Sequence, residues 1–164
     1  MSPEPLAVEL IEALGAARQS LATAESLTGG LIGGAITAVP GASASYLGGV
    51  VSYATRLKNE LAGVPLSVLD AWGPVAEATA AAMAAGVRAR VGADWGLAVT
   101  GVAGPDPQDG HRPGEVWIGI ARPDGSSAAS RIDLDGSREQ IRTATVRAAL
   151  ARLLQDVVAI SSQG

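Results

Sequence analysis

The order of apolar runs with two different periods constrains this 164-residue chain most. Residues 5–19 carry Leu6, Val8, Leu10, Ile11 and Leu14 at near-helical spacing, which predicts a first helix. A short strand is expected over 20–23, a helix over 31–39 stopped by Pro40-Gly41, and a β-branched strand over 46–54. Short helices are expected over 55–61 and 65–71, then an alanine-rich helix over 75–91, with Glu77 in its first turn and Arg88 and Arg90 in its last, where they suit the helix dipole. Strands over 95–99, 115–122 and 128–134 follow, the last two joined by the turn signal Pro123-Asp124-Gly125. A helix over 137–160 closes the chain. Strands alternating with helices, then one late hairpin, imply an α/β fold: a three-layer α/β/α sandwich with a mixed, mostly parallel sheet.

Composition narrows the functional classes. Hydrophobic residues make up 48% of the chain, enough for one domain spanning 1–164 to bury a core. Phe is absent, so that core is expected to be Ala, Val, Leu and Ile. The net charge is −4 with no long basic run, which disfavours a nucleic-acid partner held by a broad basic surface. A small anion needs only a few Arg and backbone N–H groups. No Cys is present, so thiolate chemistry and disulfides are excluded. The single His, His111, sits in a Pro/Gly-rich loop where a solvated role is commoner than a Ser-His-Asp triad. No metal and no cofactor are expected. The amino terminus lacks the basic region of a signal peptide, and no apolar run reaches membrane-spanning length, so a cytoplasmic protein without a membrane partner is expected.

Four segments could carry chemistry. The string TAESLTGG at 23–30 lies between a strand and a helix, at the strand's carboxyl end where ligands of open α/β sheets collect. Ser26 and Thr28 place hydroxyls there, and Gly29-Gly30 permit close backbone approach; an ordinary helix cap is the plainer alternative. The second segment holds Ser43 in PGASAS at 40–45, then Tyr53 and Lys58 across a strand-to-helix transition. A Tyr or Lys beside a serine eases removal of its proton, and a Lys can equally hold an anion or lie in solvent. The third, Thr100-Gly101-Val102-Ala103-Gly104-Pro105-Asp106, can present N–H groups to an oxyanion or a phosphate, or be a structural turn; it lacks Walker A spacing. In the fourth, Ser137 and Gln140 form a capping box and Arg142 is a candidate anion clamp, though a solvated Arg is commoner.

Taken together these strings resemble the CinA carboxy-terminal domain family, the PncC-type nicotinamide mononucleotide deamidases. The resemblance rests on TAESLTGG at 23–30, PGASASYLGGVVSYATRLK at 40–58, GPVAEATAAAMAAG at 73–86, AVTGVAGPD at 98–106 and GEVWIGIA at 114–121, in that order. It implies an anticodon-binding-domain-like sandwich, a homodimer or higher homo-oligomer, and hydrolysis of nicotinamide mononucleotide to nicotinate mononucleotide and ammonia. Longer relatives carry an added molybdopterin-binding-type domain, so the chain resembles the single-domain amidases. By the same resemblance the catalytic candidates are Ser26, Ser43, Tyr53 and Lys58, and the substrate-binding candidates Thr28, Gly29, Gly30, Thr100, Gly101 and Arg142. Either serine could be the nucleophile, Ser26 first.

The chain departs from the family pattern at Leu27, where relatives often have Cys, at Ser45-Tyr46-Leu47, and in the loop over 106–113, which bears on substrate fit. The expected mechanism is metal-independent attack by serine, with Lys58 taking the proton and Tyr53 as a possible relay. The rivals are a pyridine-nucleotide-binding module without catalysis and an amidase for another small amide.

Overall fold

Six α-helices and five strands make up the fold of residues 2–163, the part of the chain that the computed structural model describes. In chain order they are α1 (Pro5–Ala17), β1 (Leu21–Glu25), α2 (Leu31–Thr37), β2 (Tyr46–Val51), α3 (Thr55–Glu60), α4 (Leu66–Trp72), α5 (Glu77–Val91), β3 (Trp95–Gly101), β4 (Glu115–Ala121), β5 (Ser127–Asp133) and α6 (Arg138–Ser161). A 3-10 turn at Ala42–Ala44 precedes β2. No helix among the described residues is long and apolar enough to cross a membrane.

The strands form one sheet in the order β2-β1-β3-β4-β5. β1 runs parallel to both β2 and β3, whereas β4 is antiparallel to β3 and to β5. The sheet is therefore mixed in equal parts rather than mostly parallel. Parallel neighbours need a crossover, which helices supply between β1 and β2 and between β2 and β3. From Gly101 to Glu115 the chain has no helix, only a loop, so β4 returns beside β3 in the opposite sense.

Side-chain alternation sorts the two faces. Leu97 and Val99 on β3, with Val116, Ile118 and Ile120 on β4, pack under α1 and α6 with Leu10, Leu14, Leu150 and Leu153. Ala22, Ala24, Ala98 and Ala121 point the other way, toward Met83, Ala84 and Val87 of α5. Small residues let α5 lie very close to the sheet. Gly96 and Gly119 sit directly beneath it, and a Cβ on either would overlap the carbonyl of Ala84 or Ala80 respectively.

β1 runs to Glu25, past the expected end at Thr23. It is paired on both sides and buried throughout, so no polar alternation marks where it stops. The consequence is positional: Ser26 is the first residue beyond the carboxyl end of a central strand.

Candidate active site

The residues that follow β1, β2 and β3 converge at one end of the sheet around a cavity of about 110 Å³. Ser26 and Leu27 come from the first turn, Tyr53, Thr55 and Lys58 from the β2–α3 junction, and Thr100 to Gly104 from the end of β3 and its loop. Pro74 and Val75, ahead of α5, and Arg138, at the start of α6, complete the wall together with Asp106 and Gln108. This is the switch region of the sheet, where strands flanking β1 lead away on different paths and leave a crevice.

Ser26 and Lys58 meet in that cavity. The Lys58 ammonium donates to Ser26 Oγ at 2.9 Å, to the Ser52 carbonyl at 2.8 Å and to the Tyr53 carbonyl at 3.1 Å. Lys58 is only 1% exposed and, among the described residues, no carboxylate pairs with it. Burial disfavours its charged form and lowers its pKa from 10.5 to about 8. The three contacts suit either protonation state. As a cation the group donates three times. As a neutral amine it donates to the two carbonyls and turns its lone pair to the Ser26 hydroxyl.

Glu25 fixes the turn that carries Ser26. It is 3% exposed, and its carboxylate accepts from the Thr28 hydroxyl at 2.7 Å, the Ile32 N–H at 2.8 Å and the Gly33 N–H at 3.0 Å. Those two amides are among the unpaired donors at the start of α2, so the strand's last residue caps the next helix across the turn. Gly29 and Gly30 adopt φ of 57° and 104°, a geometry side chains disfavour, and let the chain reverse there. Neither glycine, nor Thr28, lines the cavity; the Thr28 hydroxyl donates to Glu25.

The other sequence candidates divide. Gly101 lines the cavity, and so does Thr100, whose hydroxyl donates to the Pro74 carbonyl at 2.6 Å and ties β3 to the segment before α5. Tyr53 lines it too, but its hydroxyl meets Arg138 Nη2 at 3.3 Å and makes no hydrogen bond to Ser26, which removes the relay expected of it. Ser43 lies elsewhere. It is exposed on the 3-10 turn before β2, in a separate groove with Val39, Pro40 and Tyr46. Because β1 and β2 are parallel, the start of β2 and the end of β1 lie at opposite ends of the sheet, roughly 15 Å apart. Within one chain Ser43 therefore has no access to Lys58, and the expectation of a second nucleophile candidate is corrected.

Arg142 is also corrected. Its guanidinium donates to the carbonyls of Leu27 at 2.9 Å and Thr28 at 3.4 Å, bracing the Ser26 turn from outside the cavity. Arg138, one helical turn earlier, is the arginine at the cavity, and it bonds the Gly104 carbonyl at 2.7 Å as well as Tyr53. Sequence reasoning passed over it because both arginines flank the same predicted cap. The signal lay in that cap: Ser137 and Gln140 do form the capping box, which puts Arg138 in the first turn, nearest the strand ends. Asp106 and Gln108 were not singled out individually either, since the loop around them has no periodicity to aim them. Among the described residues no three His, Asp or Glu side chains gather as a metal site.

Residues 3–157 match the family model for the CinA C-terminal domain. A CinA-like protein of Frankia casuarinae is 55% identical over 131 residues, which cover 80% of this chain and 30% of that protein. A putative competence-damage inducible protein of Geobacillus kaustophilus is 43% identical over 95% of this chain and 38% of its own length. The chain thus spans about a third of the length of the curated relatives it matches. Among solved structures, the competence damage-inducible protein A of Klebsiella pneumoniae superposes with a TM-score of 0.89 at 34% identity, covering 93% of this chain and 95% of that one. The competence/damage inducible protein CihA of Agrobacterium tumefaciens gives 0.88 at 35%, covering 94% and 97%. On the family match and these relatives together, the chain belongs to the CinA C-terminal domain family.

Proposed function

We propose that the chain is an amidase that deamidates nicotinamide mononucleotide to nicotinate mononucleotide and ammonia, with Ser26 as nucleophile and Lys58 as its base. The observation that carries this reading is the 2.9 Å contact between a buried, charge-depressed lysine and a serine hydroxyl in a cavity. A serine hydroxyl is a poor nucleophile until a neighbour takes its proton. A lysine near pKa 8 is neutral in about a tenth of molecules at pH 7, which suffices for a base held in place.

The steps balance as follows. Ser26 Oγ attacks the carboxamide carbon while its proton passes to Lys58 Nζ. The carbonyl oxygen becomes an oxyanion, for which the N–H of Leu27 is a candidate donor; it follows the nucleophile directly and makes no backbone hydrogen bond among the described residues. One such donor contributes about 3 kcal/mol. The C–N bond then breaks, and the departing nitrogen takes the proton from Lys58 and leaves as ammonia. Water, deprotonated by the same amine, hydrolyses the acyl-serine and releases the acid. Arg138 is the cation at the cavity suited to the substrate's phosphate.

The test is ammonia release from nicotinamide mononucleotide by the purified chain, with chelator present. Release is expected from the native protein and should fall by at least about a thousandfold in Ser26→Ala and Lys58→Ala. Undiminished turnover by either variant would remove that residue from the mechanism.

A further inference from the structure

The lining of the cavity includes a feature that the amide chemistry does not use. Gln108 and His111 exchange both backbone hydrogen bonds, N–H to carbonyl at 3.0 Å and 2.8 Å. Between them Asp109 and Gly110 take φ of 49° and 80°, the pair of positive values that a two-residue type I′ hairpin turn requires. The result is a very small hairpin inside the 102–114 loop, with Asp106 and Gln108 at the cavity.

An exposed hairpin of this size is not stable alone. This one is anchored. His111 Nδ1 lies 2.8 Å from Glu115 Oε2, and Glu115 is 6% exposed at the first position of β4. Trp117 Nε1 donates to the same oxygen at 3.2 Å, and the Arg131 guanidinium stands 3.5 Å from the other. Burial opposes ionisation of Glu115, but the hydrogen bonds from His111 and Trp117 together with the charges of His111 and Arg131 outweigh it and hold its carboxyl below the ordinary value. Behind the hairpin, Gly114 (φ 93°) bonds Val102 and Leu134 through its backbone, and a Cβ there would overlap the Leu134 carbonyl. The hairpin is therefore fixed to the sheet on its inner side and presents polar groups to the cavity on the other.

We propose that this hairpin is the specificity wall of the site: Asp106 and Gln108 recognise the hydroxyl-bearing sugar that separates amide from phosphate, and His111, latched to Glu115, is the positioning residue that holds them. The inference rests on the reading of the substrate as a nucleotide amide. A carboxylate repels a phosphate at its own position, so Asp106 faces donors, and a sugar diol supplies two. Gln108 can both donate and accept there. The phosphate is left to Arg138, which also lines the cavity.

A double-mutant cycle on Gln108→Ala and His111→Ala tests this. Dissociation constants for nicotinamide mononucleotide are read by calorimetry in a Ser26→Ala background, and KM and kcat with Ser26 in place. Each single substitution should raise Kd and KM about tenfold with kcat nearly unchanged, and the double variant should be no worse than His111→Ala. His111→Gln keeps an N–H donor for Glu115 and should recover most of the affinity. Unchanged Kd in the single variants, effects that multiply in the double, or a loss confined to kcat would overturn the proposal. Amide exchange at Gln108 and His111, measured without ligand, should quicken in His111→Ala but not in Gln108→Ala; equal rates would overturn the latch. Native protein that binds the nucleotide tightly yet releases no ammonia would end the amidase reading and leave the hairpin standing.

Discussion

Lys58 carries the most consequence of any single residue. Its side chain crosses from a helix into a cavity with no carboxylate partner among the described residues, so its amine exists in both protonation states in the neutral range. If it is the base, kcat/KM for the free enzyme should rise about tenfold from pH 7 to a plateau above pH 9, with a midpoint near 8. A flat profile across that range would show that the proton leaves Ser26 another way. How much of this was readable in advance differs residue by residue. Ser26 sits in a strand–turn–helix string, so its general place at a strand end follows from pattern alone. Its contact with Lys58, 32 positions away, depends on β2 lying beside β1, which no local pattern states. Ser43 shows the converse. Its place ahead of a strand was legible, but only the parallel pairing of β1 with β2 puts that place at the end of the sheet away from Lys58.

At the scale of elements, α5 positions the site through its closeness to the sheet. Its amino-terminal lead-in, Pro74 and Val75, forms part of the cavity, and Thr100 holds Pro74 through its carbonyl. Anything that lifts α5 moves that wall. Gly119→Ala is the sharpest such change, because the new methyl would meet backbone at Ala80 rather than a yielding side chain. It should lower stability by about 2 kcal/mol, seen as a fall of several degrees in Tm, and should weaken substrate binding alongside. A variant as stable as the native chain would mean that α5 can shift at no cost. The alanine-rich string over 75–91 predicted the helix readily. It did not predict this intimacy, since alanine is equally at home on an exposed helix; the glycines on β3 and β4 beneath it are the complementary half of the pattern. The succession of elements along the chain was legible in outline, but the even mix of parallel and antiparallel pairing followed from a loop, 102–114, that lacks a crossover helix.

At the scale of the whole molecule, the site is maintained against the stability of the fold. Moving the Lys58 pKa from 10.5 to about 8 corresponds to about 3 kcal/mol by which the folded state disfavours the protonated amine relative to the unfolded chain. Below pH 8 both states hold the proton and the full penalty is present. Between pH 8 and 10.5 the folded chain has released it while the unfolded chain retains it, so stability from this group rises with pH across that window. The opposite trend, loss with rising pH, would belong to a lysine stabilised by a carboxylate, and among the described residues none pairs with this one. Denaturant unfolding of the native chain and of Lys58→Met, at pH 7.5 and at pH 9.5, isolates the effect from all other titrating groups. The native chain should gain on the variant by roughly 2 kcal/mol over that interval. Parallel curves would show an amine that is not destabilised by burial, and a lysine of that kind would be a cation at pH 7, fit to hold an anion but not to take a proton from Ser26.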